Sequence, residues 1–174
     1  WDFCDNYMEL IKHRIYNPQE HGEGAGESVQ NSLYAIVYGV IRMLAPFIPH
    51  ITEEIYQAYF KQREKHVSLH LADYPNGKKS WVDEQAEKVY EEACQFVAVV
   101  RKFKTEQRLS LNTELTEIQY LRTQFGLFRE AQNDIQRAAR CDNVKAMDSL
   151  DDVGSLVEFE GKLLRIGNPI EEEA

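Results

Sequence analysis

Several absences narrow what this chain does. Its 174 residues hold only three cysteines, five prolines and nine glycines. Cys4, Cys94 and Cys141 lie far apart without a Cys-x-x-Cys pair. They cannot all be disulfide-bonded and none has zinc-ligand spacing, so reduced, buried thiols are expected. There is no apolar run of about 18 residues and no basic leader with an apolar stretch, so neither a spanning helix nor a signal peptide is expected. No Gly-x-Gly-x-x-Gly or Gly-x4-Gly-Lys loop is present to cradle phosphates, and no His-Glu-x-x-His helix to bind zinc. His50 near Glu53 and Glu54 lacks a second pair of ligands. Glu-x-x-His occurs nowhere, which removes a carboxylate-bridged metal bundle. No catalytic residue, metal ligand or cofactor is assigned to this chain. Basic residues are the scarcer charge, 20 Lys and Arg against 29 Asp and Glu, for a net charge of −9. That balance argues against general nucleic-acid binding and against DNA, and leaves only a locally positive face as a binding surface.

What is present is helical periodicity. With 43% hydrophobic residues the chain has material for a core of one domain, or of one domain with an appendage. It opens Trp-Asp-Phe, without an initiator methionine and inside a helical pattern, as a piece of a longer protein would. Cys4, Tyr7, Met8, Ile11 and Ile15 recur at helical spacing over residues 2–16, and Asn17-Pro18 ends that helix. Residues 17–27 read as a flexible glycine-rich loop in which His21 is solvated. Ser28 is the expected N-cap of a second helix running to Pro46. A third helix covers about 51–65, and residues 66–80 read as an extended link with an Asn76-Gly77 turn. The fourth and longest helix spans about 83–108, with Val89, Ala93, Phe96, Val97, Val100 and Phe103 as its buried stripe. Four amphipathic helices joined by modest loops predict a mainly α fold with an antiparallel four-helix bundle over residues 1–112.

After Leu111 the period changes. Residues 115–121 alternate like a strand, 125–140 are helical, and 144–147 form a short strand candidate. Residues 157–166 read as a hairpin turning at Glu160-Gly161. The expectation is a small α+β appendage over 113–168, followed by a disordered acidic tail over 169–174.

The most informative run is Leu44-Ala45-Pro46-Phe47-Ile48-Pro49-His50-Ile51-Thr52-Glu53-Glu54-Ile55-Tyr56. Pro46 stops one helix and Pro49 suits the first turn of the next. Glu53 and Glu54 are expected in that first turn, and Phe47 and Ile48 inside the corner. The run resembles a motif in the anticodon-binding helical domain of class I aminoacyl-tRNA synthetases that charge aliphatic amino acids. Three further segments resemble the same family in the same order. They are the opening Trp1-Asp2-Phe3-Cys4-Asp5-Asn6-Tyr7 with Lys12-His13-Arg14-Ile15-Tyr16, then Ser68-Leu69-His70-Leu71-Ala72-Asp73-Tyr74-Pro75, then Val99-Val100-Arg101-Lys102-Phe103-Lys104-Thr105-Glu106-Gln107-Arg108. The likeness covers about residues 1–112, with valyl-tRNA synthetases the best match and isoleucyl the runner-up.

The resemblance implies a cytoplasmic parent enzyme that ligates valine to tRNA using ATP and magnesium. The present chain lacks that family's His-Ile-Gly-His-type and Lys-Met-Ser-Lys-Ser-type motifs, so the resemblance implies that this segment would do no chemistry itself. Its implied partners are the tRNA anticodon stem-loop and the rest of the synthetase chain, with no membrane. On the fourth helix, Arg101, Lys104 and Arg108 fall within about 60° of one another, with Lys102 beside them. They read either as a phosphate-gripping stripe or as a solvated helix end favoured by the helix dipole. On the first helix, Lys12 and Arg14 supply charge, and Phe3 and Tyr16 supply rings on which unpaired bases stack. The rival class is a helical protein–protein interaction module with an acidic surface.

Overall fold

The computed structural model describes residues 2–126, 128–150 and 154–170. Two compact units emerge, one of residues 22–82 and the other of residues 1–21 with 83–174. Among the described residues no helix is long and apolar enough to cross a membrane.

The unit of residues 22–82 is built on α2 (Ala25–Leu44), α3 (Pro49–Tyr59) and the single turn α4 (Lys61–Glu64). Pro46 ends α2 as its missing donor requires, and Pro49 occupies the first turn of α3. The N-cap differs from expectation. Helix α2 starts at Ala25 after Gly24 in the left-handed region, so Ser28 lies inside the helix. Glu53 and Glu54 also fall beyond the first turn of α3, which carries no acid. Glu53 instead fastens the link: its carboxylate accepts from Ser68 Oγ and from Leu69 N, both at 2.9 Å, and lies 4.0 Å from His70 Nε2. Against a desolvation that pushes the other way, a bond from Gln57 Nε2 at 2.6 Å together with these contacts holds the carboxyl below its ordinary pKa. The core of this unit is Tyr38, Ile41, Ala45, Tyr56, Phe60 and Leu69. Phe47 and Ile48, expected inside the corner, are 81% and 41% exposed, while Ala45 just before them is buried in the core.

The other unit joins the first and last parts of the chain. A short π-helical stretch, Asp2–Tyr7, leads into α1 (Met8–Tyr16). Helix α5 (Glu84–Glu106) is capped by Asp83, whose carboxylate accepts from Gln85 N and Ala86 N. Beyond it, β1 (Ile118–Leu121), α6 (Phe128–Ala139), β2 (Val144–Met147), β3 (Ser155–Phe159) and β4 (Lys162–Ile166) follow. The strands form one mixed sheet in the order β2-β1-β4-β3, with β1 and β2 parallel. The β3–β4 hairpin turns at Glu160 and Gly161, both with positive φ, as a two-residue turn of the primed type demands.

The α+β segment shares one core with α5. Phe96, Val99 and Val100 of α5 pack with Ile118, Tyr120, Phe125, Ile135, Leu164 and Ile166. Phe96, Tyr120 and Phe125 meet edge-to-face with centroids 5.3–5.9 Å apart. Leu10 of α1 joins the same cluster, and α1 packs along α6. The helices expected to form a single bundle thus fall in two units, α1 and α5 in one, α2 and α3 in the other. Pro169 bridges Leu115 and Ile170 N bonds Glu114 O at 2.9 Å, so the start of the expected tail is paired. Glu171–Glu173 lie outside the described residues. Of the three thiols expected to be buried, Cys141 is buried, Cys94 half-buried and Cys4 exposed.

Candidate nucleic-acid interface

A groove of about 880 Å³ opens within the second unit, between α1, the C-terminal half of α5 and the end of α6. Lys12 and Tyr16 line it from α1, Arg101 and Lys104 from α5, Asn112 from the following loop, and Arg137 and Arg140 from α6 and its end. Asp5, Glu9, Glu114 and Asp142 also border it. The charge is therefore mixed, and the pairing pattern decides which cations are available.

Lys104 does not join an exposed stripe. It is 1% exposed, and its Nζ donates to Leu111 O and Ala139 O, both at 3.0 Å. Its position on the helix places it beside Val100 and Phe103 on the core face, and carbonyls from two other segments satisfy it there. Burial lowers its pKa to about 8, with the nearby Arg140 charge adding to the effect. Arg101 reaches Asp5 O at 3.1 Å and is half-buried. Lys102 points elsewhere, donating to Glu158 O at 2.7 Å and lying over the Phe159 ring. Arg108 is exposed at the end of α5 and is not among the groove residues.

On α1, Tyr16 is 73% exposed and free to stack. Lys12 pairs loosely with Glu9 at 3.5 Å. Phe3 is stacked on Tyr7 at 5.8 Å. Arg14 forks onto Asp134 of α6: its Nε donates to Oδ1 at 2.6 Å and its Nη2 to Oδ2. That bonding raises the Arg14 pKa, and its guanidinium is committed within the protein.

Beside this pair lies His21, which was expected to be solvated but has a side chain only 3% exposed. Asn133 Nδ2 can only donate, so His21 Nδ1 accepts at 3.0 Å. The His21 proton therefore sits on Nε2, facing His13 Nδ1 at 2.8 Å. Burial lowers the His21 pKa from 6.5, opposed by Asp134. A depressed histidine supports the fold above its unfolded pKa and withdraws that support as pH falls through its folded value. Stability is accordingly expected to drop below about pH 6.5 more steeply in the native chain than in His21→Gln, read as denaturation midpoints from pH 7 to pH 5. Parallel profiles would contradict this.

Of the residues that line the groove, the sequence pointed to Lys12, Tyr16, Arg101 and Lys104. It missed Arg137 and Arg140, whose relevance depends on how α6 docks, and the only available signal was two arginines at the end of an amphipathic helix.

Comparison with known proteins places the chain. A family model described as the anticodon-binding domain of tRNA ligase matches residues 1–120. The chain is 32% identical over 170 residues to the valine–tRNA ligase of Pyrococcus furiosus, covering 95% of this chain and 18% of that protein. It is 36% identical over 135 residues to that of Thermococcus kodakarensis, covering 77% and 15%. For Pyrococcus horikoshii the figures are 39% over 117 residues, 67% and 13%. The chain spans less than a fifth of the length of these relatives. It belongs to the anticodon-binding domain family of tRNA ligases, in the form carried by valine–tRNA ligases.

Proposed function

We propose that this chain binds the anticodon stem-loop of a valine tRNA and so positions the tRNA for ATP-dependent aminoacylation by the remainder of a cytoplasmic valine–tRNA ligase. Magnesium and ATP act in that remainder. The observation that carries the reading is the groove at the end of α5, where Arg101 and Lys12 stand beside an exposed aromatic, Tyr16. Cations lining one groove can hold phosphates and so fix the register of an RNA. An exposed ring offers an unpaired anticodon base a stacking surface worth about 1–3 kcal/mol. Lys12, Arg101, Lys104, Arg137 and Arg140 line the groove against Asp5, Glu9, Glu114 and Asp142, a more positive local balance than the net −9 of the chain.

Titrating a tRNA(Val) transcript against the chain at several salt concentrations tests the proposal. Binding is expected to be weak and salt-sensitive. Arg101→Gln should flatten the log–log salt slope by about 0.7–0.9, the counterion release of one phosphate contact. Tyr16→Ala should weaken binding by about 1–3 kcal/mol without changing the slope. The chain alone should give no ATP–pyrophosphate exchange. Failure to bind tRNA at low salt, or amino-acid activation by the chain itself, would overturn the reading.

A further inference from the structure

The ends of α5 and α6 share an unusual feature. Helix α5 closes with Leu109 N bonded to Lys104 O at 2.8 Å and Arg108 N to Thr105 O at 3.0 Å. Helix α6 closes the same way, Cys141 N to Gln136 O at 3.0 Å and Arg140 N to Arg137 O at 3.3 Å. Each places an arginine at φ 56° where such a cap usually takes glycine. A side chain kept in the left-handed region against its own preference points to a use for that side chain.

The two arginines differ in what surrounds them. Arg140 lines the groove and Arg108 does not. Among the described residues, Arg101, Lys104 and Arg140 are the groove cations without a carboxylate partner. Lys12 pairs with Glu9, and Arg137 with Glu20 and Asp142. The Arg140 guanidinium makes one long contact, 3.4 Å to Asn112 Oδ1, and a guanidinium carries five donors. Behind it the buried Lys104 ammonium is met by carbonyls alone, and it is disfavoured by the Arg140 charge. Among the described residues neither Arg140 nor Lys104 pairs with a carboxylate, so their charge is available to a phosphate. A free phosphate would fill only a corner of a groove of about 880 Å³, whereas an RNA backbone also reaches Arg101 and Tyr16.

We infer that Arg140, with Lys104 behind it, holds a phosphate of the tRNA backbone, so that the α+β segment forms one wall of the RNA groove. The inference rests on the tRNA binding proposed above. It extends that site beyond residues 1–120, the part the family model matches. Arg137 supports this wall, since its bonds to Glu20 and Asp142 tie the last turn of α6 to its neighbours.

The test uses Arg140→Gln, Arg140→Gly and Arg108→Gly in the whole 174-residue chain, with a tRNA(Val) transcript as probe and thermal melting in parallel. Both Arg140 variants should lose about three- to tenfold in affinity and about 0.7–0.9 in salt slope. Arg140→Gly should melt at or above wild type because glycine suits the cap, so weaker binding cannot be blamed on unfolding. Arg108→Gly relieves the same conformation and should keep its affinity. Wild-type affinity in both Arg140 variants, with Arg101→Gln still impaired, overturns this inference and leaves the tRNA reading standing. Equal losses for Arg108→Gly and Arg140→Gly mark a bulk charge effect and also overturn it, as would an equal loss toward a polyglutamate peptide. A wild-type chain that binds no tRNA removes both readings.

Discussion

Lys104→Met should leave stability at pH 7 close to wild type and cost about 2–3 kcal/mol at pH 10. Methionine keeps the apolar stem in its slot between α5 and α6 and removes two opposed contributions. One is the cost of burying an ammonium, expressed as a pKa lowered from 10.5 to about 8. The other is the satisfaction of Leu111 O and Ala139 O, each costing about 1–3 kcal/mol when left without a donor. At pH 7 the two nearly cancel. Between about pH 8 and 10.5 the unfolded chain holds the Lys104 proton while the folded chain releases it. The unfolded state then binds more protons, so wild-type stability gains with rising pH. A neutral amine still carries two hydrogens, one for each carbonyl. The variant has no such gain, and other groups that titrate in this range, Cys141 included, largely cancel in the difference. Guanidinium midpoints for both proteins at pH 7 and pH 10 check this. A difference that stays constant with pH would show that Lys104 is not buried as a titrating amine.

The same residue illustrates what was legible in the sequence. Helix α5 was legible in length and phase, since its stripe from Ala93 to Phe103 is buried as its spacing predicts. Continued by one residue, that stripe includes Lys104. Its spacing from Arg101 and Arg108 instead places it on a phosphate-gripping or solvated stripe, and lysine is almost never fully buried without partners. Its partners lie 7 and 35 residues further along the chain, where helical periodicity carries no information. The hairpin at Glu160-Gly161 was visible because turn chemistry is local. The division into units was not. Amphipathicity groups α1 and α5 with α2 and α3, because it shows that a face is buried but not against what. Helix α6, outside that grouping, packs on both α1 and α5. At the interface, Lys12, Tyr16 and Arg101 followed from residue type and position on helices. Arg140 required the docking of α6, and the Arg14 bond to Asp134, 120 residues away, is one that helical periodicity does not carry.

Arg14→Ala should therefore lower stability while leaving the salt dependence of tRNA binding unchanged. The Arg14 side chain is 33% exposed and that of Asp134 only 10%, so losing the arginine strands a carboxylate that is mostly out of water. Breaking a fully buried pair costs about 3–5 kcal/mol, and partial exposure of the guanidinium reduces this to about 2–3 kcal/mol. For a domain of this size that is a melting-temperature loss of roughly 4–12 °C. Asp134→Asn keeps the shape of the acceptor but removes its charge, and should cost less than Asp134→Ala. The Arg14→Ala, Asp134→Ala double variant should recover part of the combined loss, because neither charge is then left without its partner. The coupling is expected at about 1–3 kcal/mol, the range for residues in direct contact. His21 stands 3.9 Å from the Asp134 carboxylate and should be read in the same cycle. Without that carboxylate, burial, His13 and Arg14 disfavour protonation of His21, and of its neighbours only Glu20 still favours it. The outcome that would reverse this assignment is an Arg14→Ala chain that melts like wild type yet binds tRNA more weakly and with a flatter salt slope. That would place Arg14 on the RNA, as its neighbours on the first helix suggested, and make the Asp134 contact incidental.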